Sequence, residues 1–273
     1  MLDIHAHLYM SAYDDDRELV IKRAFDAGLT RIISVSTEAD DHALALAMTD
    51  LDERIFASLG LHPHYFNDHC KDEQQLENDI AIIRMLAMKN KKVIAIGECG
   101  LDYFSHSGEV ISDTQKVWQK IGFKAQIKLA RELALPMIIH CRDAYEDLFE
   151  IIYEHGEGVH FILHCYMGDT DVTKKFLTLS NMYFSFTGNI TYAVKKILAG
   201  TKHDITETVK LIPLERIFME TDCPFLAPMP HRGKRNEPSF VVEVAKKIAD
   251  LQNVSIDVLE NAVEENVQRV FAR

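Results

Sequence analysis

Short apolar runs alternate with longer amphipathic stretches along the chain. The runs are Leu2–Leu8, Arg31–Thr37, Ile55–His62, Val93–Leu101, Pro136–Cys141, His160–Tyr166, Met182–Phe186 and Ile217–Thr221. Each is rich in Ile, Val, Leu, Phe or Met and short enough for a strand covered on both faces. Between and after them, apolar residues recur at helical spacing. Asp15–Ala27 stops at Gly28, a C-cap residue. Gln74–Met88 carries Leu76, Ile80, Ile83 and Ala87 along one face. The stretch from Asp113 to Ala134 opens on a capping Ser112 or Asp113 and ends before Pro136. Asp143–Tyr153, Thr170–Thr178 and Ser239–Ala249 follow the same rule, and Ser255–Ala272 is a last helix beyond the eighth run. Strand then helix, repeated in this way, predicts an α/β fold: a parallel (β/α)8 TIM-like barrel with an extra C-terminal helix, one domain over residues 1–273. A doubly wound open sheet usually has fewer strands and a Gly-rich first turn, which is missing here.

Polar residues break the apolar runs in one consistent place. His5 and His7 end the first run, Glu98 lies late in the fourth, His140 ends the fifth, His164 sits near the end of the sixth, and Asp222 follows the eighth. In a barrel, the C-terminal ends of all strands converge on one mouth, so these residues are expected to meet in space. His5 and His7 are two apart, which on a strand puts both imidazoles on one face. Burying so many polar groups without a cation or a network costs about 1–3 kcal/mol per unpaired group. The cluster therefore predicts metal binding. Six ligands exceed one tetrahedral shell and suit two divalent metal ions. Glu98, with two oxygens, is placed to bridge them: His5, His7 and Asp222 on one side, His140 and His164 on the other. Four imidazoles and two carboxylates suit Zn, Mn, Fe or Co better than Mg.

Composition narrows the substrate. The formal net charge is −12 and the sequence pI about 5.5, so broad electrostatic wrapping of a polyanion is not expected. Two divalent cations beside Glu98 and Asp222 would nevertheless make one net-positive pocket, which attracts a phosphate ester. Other residues fit that use. His62, in Gly60-Leu61-His62-Pro63-His64, is a candidate general acid or phosphate donor, and His64 a weaker candidate that shapes the loop. Arg142 follows His140 by two and could face a phosphate; the competing role is an ion pair with Asp143 or Glu146. Lys234 and Arg235 belong to a basic stretch, His231–Asn236, in the long loop Cys223–Pro238 with its four prolines, and are candidates for substrate phosphates. Cys99, Cys141, Cys165 and Cys223 each directly follow a proposed ligand. For the first three, strand parity turns the thiol toward the helix layer, where it behaves as a small buried hydrophobe; the argument is weaker for Cys223, past its strand. Five cysteines without a disulfide pattern, no signal-peptide pattern and no run approaching the ~20 apolar residues of a membrane helix point to a cytoplasmic chain with no membrane partner.

Seven motifs now stand in order: Asp3-Ile4-His5-Ala6-His7-Leu8, Gly60-Leu61-His62-Pro63-His64, Gly97-Glu98-Cys99-Gly100-Leu101-Asp102-Tyr103, Ile139-His140-Cys141-Arg142, His164-Cys165-Tyr166, Glu220-Thr221-Asp222-Cys223-Pro224-Phe225-Leu226 and Arg235-Asn236-Glu237-Pro238. Together they resemble the TatD-type metal-dependent deoxyribonucleases, a branch of the amidohydrolase-like barrels. The resemblance implies a TIM-like barrel, divalent metals, the ligand roles given above, and exonuclease-like hydrolysis of DNA phosphodiesters, single-stranded DNA included; it also implies activity supported by Mg. Tyr166 stands where the family often has Phe, and Cys99 where an aliphatic residue is common. The chemistry expected is in-line attack of an activated water on phosphorus, with Asp222 taking the water proton and His62 helping the departing oxygen.

Two other functions remain open at this point. The same metals could polarise a carbonyl in an ester, lactone or cyclic amide. Many enzymes of that kind bridge their metals with a carboxylated Lys; the fifth run, 136–141, has no Lys, and the fourth offers Glu98 instead. A non-catalytic metal-binding protein would require a closed coordination shell.

Overall fold

The computed structural model describes residues 1–70, 72–105, 108, 110–193 and 204–271, the side chain of Asp68 excepted. Its eight strands are β1 (Leu2–Ala6), β2 (Arg31–Val35), β3 (Ile55–Leu59), β4 (Val93–Asp102), β5 (Met137–Arg142), β6 (Phe161–Leu163), β7 (Met182–Phe186) and β8 (Ile217–Met219). They pair in chain order, each parallel to the next. Each falls on one of the apolar runs. They are covered on both faces, which is why even the polar positions of β1, Asp3 and His5, are buried beside Leu2, Ile4 and Ala6.

The sheet closes on itself between β1 and the segment after β8. The amide of Asp222 donates to the His5 carbonyl and the amide of His7 to the Cys223 carbonyl, both at 2.9 Å. Where this backbone ladder runs out, the buried Asp3 carboxylate replaces it, accepting the amides of His5 at 3.1 Å and Thr221 at 3.0 Å and the Thr221 hydroxyl. Burial pushes the Asp3 carboxyl up to about 8, against those hydrogen bonds from Thr221 and His5.

The expected helices appear as α1 (Arg17–Asp26), α4 (Glu73–Lys89), α5 (Asp113–Leu133), α6 (Tyr145–His155), α7 (Thr170–Leu177), α9 (Val241–Gln252) and α10 (Ile256–Val270); Ala272 of the predicted last helix lies outside the described residues. Ser112 opens α5 with a reciprocal capping box to Gln115, as its position suggested. Three short helices were not anticipated: α2 (His42–Ala47), α3 (Tyr65–Asp68) and α8 (Ile205–Leu211). None is long enough for a 3.6-residue period to repeat clearly. The additional helix α10 is anchored by the buried Asn266, whose amide donates to the carbonyls of Leu214 and Ile217 at the base of β8.

The loop after β8 is locked onto α1. Arg23 grips Glu237 with two parallel bonds, Nε to Oε1 at 2.9 Å and Nη2 to Oε2 at 2.6 Å. Between these anchors sits Asn236, fully buried. Its amide donates to the Thr221 and Phe225 carbonyls, and its own carbonyl accepts the Tyr13 hydroxyl. Asn236 thereby fixes the segment that carries Asp222. Asn236→Ala leaves the buried Thr221 carbonyl without its donor, at about 1–3 kcal/mol when unsatisfied, and removes the bond to the Phe225 carbonyl as well. A lower urea midpoint with an unchanged slope is the expected result, and an unchanged midpoint would contradict this role.

Candidate metal centre

The ligand positions sit where the sheet is irregular. Between Asp3 and Ala6, β1 advances one residue more than β2; between Ile96 and Cys99, β4 advances one more than β5. Each extra residue is a bulge that re-aims a side chain, at His5 in one case and Glu98 in the other. The β4 backbone runs so close to its neighbours that a Cβ on Gly97 would lie 2.5 Å from the Ile138 carbonyl oxygen. Only glycine fits there, next to Glu98.

Six side chains from five strand ends converge. His5 Nε2 lies 3.2 Å from His7 Nε2, and Asp222 Oδ1 is 3.8 and 3.4 Å from these two nitrogens. Glu98 turns Oε2 toward this group, 3.3 Å from His5 and 4.0 Å from His7. Its other oxygen, Oε1, faces away, 2.9 Å from His164 Nε2, 3.0 Å from His140 Nδ1 and 3.6 Å from His62 Nε2. The expectation of one carboxylate between two histidine groups is thus what the side chains do. The structure adds His62 to the second group.

Hydrogen bonds at the far side of each ring assign the tautomers. His7 Nδ1 donates to the Val35 carbonyl at 3.0 Å, His164 Nδ1 to Glu220 at 3.2 Å, and His140 Nε2 to Asp102 at 3.1 Å. The other nitrogen of each ring faces inward. For His140 and His164 it meets a Glu98 oxygen at hydrogen-bond distance, so both rings lie between carboxylates that pull their pKa values up against burial. Such a cluster calls for positive charge at its centre, from ring protons or a bound cation, and its imidazole and carboxylate donors fit a divalent metal. His62 is the exception. Its Nδ1 accepts the His64 amide at 3.2 Å, so the proton sits on Nε2 and points at the site. With its N–H inward the neutral ring is a hydrogen-bond donor at the site rather than a lone-pair ligand.

The whole chain matches one family model, described as TatD related DNase, over residues 2–272. The chain belongs to the TatD-related DNase family. It is 40% identical over 272 residues to an uncharacterized metal-dependent hydrolase of Bacillus subtilis, covering 99% of this chain and 98% of the relative. It is 30% identical to the 3'-5' ssDNA/RNA exonuclease TatD of Pantoea ananatis, covering 99% of each chain. Among solved structures, the TatD homologue YjjV of Escherichia coli superposes with a TM-score of 0.86 at 25% identity, over 100% of this chain and 98% of that one. The chain is accordingly a metal-dependent hydrolase acting on phosphoester bonds.

In this TatD-family centre, burial opposes every charge and the partners decide which survive. Burial pushes the Glu98 carboxyl up, but the charge of His164 and the His140 hydrogen bond outweigh it and hold the carboxyl well below its ordinary range. The same competition, won by hydrogen bonds from His140 and His64, keeps Asp102 ionised. For His62 burial outweighs the attraction of Glu98 and Asp102 and holds its pKa well below the ordinary imidazole value, so it stays neutral.

The remaining candidates divide. His64 is tied to Asp102 at 3.0 Å at the rim of the cavity. Arg142 lines the same cavity with its guanidinium stacked 3.4 Å from the centre of the Phe104 ring; Glu146 is taken by Lys175 instead. Arg235 is turned to α1, where it bonds both Asp16 oxygens at 2.8 and 2.7 Å and the Ala12 carbonyl. Lys234 is exposed on the same loop and is not among the cavity-lining residues. Neither is brought to the centre. Cys99 is fully buried, as parity requires, but Cys165 lies on the cavity wall against Thr187 and Asn189. Strand β6 ends at Leu163 and Cys165 has a left-handed φ of 42°, so strand parity does not reach it. Burial pushes its thiol up to about 12, so it is no thiolate at neutral pH.

Three buried acids went unread as site residues although the quoted motifs contain them: Asp3, Asp102 and Glu220. Glu220 Oε1 accepts both His164 Nδ1 and the Cys165 amide. Glu220→Ala should lower metal affinity about 10–100-fold by releasing His164, measured by competition with a coloured chelator on folded protein. Unchanged affinity would remove Glu220 from this role.

Proposed function

We propose that the chain removes nucleotides from an end of single-stranded DNA, with two divalent cations bridged by Glu98. The observation that carries this is the division of Glu98, one oxygen toward His5, His7 and Asp222 and the other toward His140 and His164. His5, His7 and Asp222 would hold one ion and His140 with His164 the other. Such a pair supplies Lewis-acid stabilisation of charge on the attacking and departing oxygens of a phosphodiester. The protein's own groups do the rest. The Asp222 carboxylate, kept below its ordinary pKa despite burial by its hydrogen bond with His7 and by the charges of His5 and His164, is ionised and able to accept the proton of an attacking water. Neutral His62 offers Nε2–H to the phosphate or the departing oxygen. Arg142, held flat by Phe104 and without a carboxylate partner among the described residues, presents its planar fork of donors to a phosphate.

A net charge of −12 repels nucleic acid from the surface at large. Binding therefore concentrates at the mouth, over a cavity of about 1010 Å³. That geometry suits a chain end more than a long duplex. The Pantoea relative, named as a 3'-5' ssDNA/RNA exonuclease, supports the same direction.

The test is cleavage of end-labelled single- and double-stranded DNA, run metal-free and with each of Mg, Mn, Zn, Co and Fe. Stepwise loss of terminal nucleotides from the single strand is expected only with added metal. In Glu98→Gln, activity should fall about 100-fold or more and bound metal should drop to one ion or fewer per chain. Full activity with unchanged metal content in that variant would refute the bridge.

A further inference from the structure

Helix α5 packs against β4 and α3. Its buried face carries Phe123, Ile127, Leu129 and Ala130, and beside them a row of different character: Gln119, Gly122 and Gln126. Their spacing of three and four residues stacks them on successive turns. Both glutamines are fully buried. A buried carboxamide can pair with a peptide group as a neighbouring strand would, giving one N–H and accepting another. Gln126 does this with Leu61: its Oε1 accepts the Leu61 amide at 2.8 Å, and its Nε2 donates to the Leu61 carbonyl at 3.0 Å. Gln119 does the same with Asp102, at 2.9 and 3.0 Å, and its Nε2 also donates to Asn67 Oδ1 at 3.0 Å. Between the two, the tip of the Phe66 ring rests against bare Gly122, where a Cβ would lie 2.0 Å from it.

The glutamines act where the β3–β4 pairing has ended. The last pair of these strands is Leu59 with Ile96; Leu61 lies beyond the end of β3, and Asp102 is the last residue of β4. Their peptide groups would otherwise be buried without partners, and α5 supplies them. The residues so held serve the metal centre. Leu61 precedes His62, whose Nε2–H points at the site. Asp102 Oδ2 lies 3.1 Å from His140 Nε2 and 3.0 Å from His64 Nε2. The segment carrying His62 and His64 is thus fastened to α5 at Leu61, Phe66 and Asn67.

We propose that Gln126 and Gln119 are positioning residues for the hydrolytic centre. Gln126 sets where the His62 N–H points, and Gln119 sets the Asp102 carboxylate that orients His140. Sites of this kind lose function when a supporting contact lets a group drift by about 0.5 Å or more. The Gln126 half rests on the reading of His62 as a donor to phosphate; the Gln119 half rests only on His140 as a ligand. The two therefore predict different losses, which a role in stability alone would not.

The experiment replaces each glutamine with Met, which keeps the length and loses both hydrogen bonds. Affinity for Mn alone is measured by chelator competition, and binding of inorganic phosphate to the Mn-loaded protein by calorimetry, with cleavage of single-stranded DNA in parallel. Gln119→Met should weaken Mn about tenfold, because His140 loses its fixed partner. Gln126→Met should leave Mn affinity within about twofold and weaken phosphate about fivefold, the loss of one hydrogen bond. Should the Met variants not fold, Gln119→Asn and Gln126→Asn, which keep the amide but withdraw it by one methylene, are judged on the same split. Unchanged Mn affinity in the folded Gln119 variant overturns the role of Gln119, and unchanged phosphate affinity in the folded Gln126 variant overturns that of Gln126. Equal loss of both affinities in both variants marks general loosening and overturns the assignment. A wild type that cleaves no DNA, with Mn weakened in Gln119→Met, supports the positioning role and refutes the phosphodiesterase reading.

Discussion

The structure depends on one electrostatic constraint: histidine rings flanked on both sides by carboxylate oxygens at the centre of the barrel mouth, an arrangement that calls for positive charge between them. His164 Nε2 and His140 Nδ1 converge on Glu98 Oε1 while their opposite nitrogens are committed to Glu220 and Asp102. Such an arrangement is costly unless positive charge occupies the centre. A barrel with parallel strands is suited to holding it, because eight strand ends approach one axis and each can be re-aimed by a bulge without altering the layers beneath.

The scaffold fixes the backbone on which the candidate ligands ride. Asp3 joins β1 to the segment after β8, so His5 and Asp222 move as one unit. Asn236 and the Arg23–Glu237 pair hold the following loop against α1. These residues touch no substrate in the proposed chemistry. They keep the ligands placed, which is what a preorganised electrostatic site needs.

Much of this was legible in the sequence because two periodicities are strict. Eight apolar runs at barrel spacing announced the strands, and the two-residue spacing of His5 and His7 put both rings on one face. The failures are equally physical. Strand parity gave no purchase on Cys165, which lies beyond the end of β6 with left-handed backbone. The basic stretch around Arg235 read as a phosphate site, yet its guanidinium is claimed by Asp16 of the preceding helix start, a contact that depends on how α1 docks. Glu220 and Asp102 adjoin strand ends already crowded with ligand candidates. Their roles emerge only when the second nitrogen of each histidine is traced to its partner. His62 changed character for the same reason: its spacing suggested several roles, and the His64 amide on Nδ1 selects the donor.

The central claim is that Glu98 joins two cation sites. Anomalous diffraction from crystals of the protein loaded with Mn or Zn tests it directly. The account predicts two anomalous peaks about 3.5–4 Å apart, one against each Glu98 oxygen, the first also touching His5, His7 and Asp222 and the second His140 and His164. A single peak, or two peaks neither of which contacts Glu98, would contradict it.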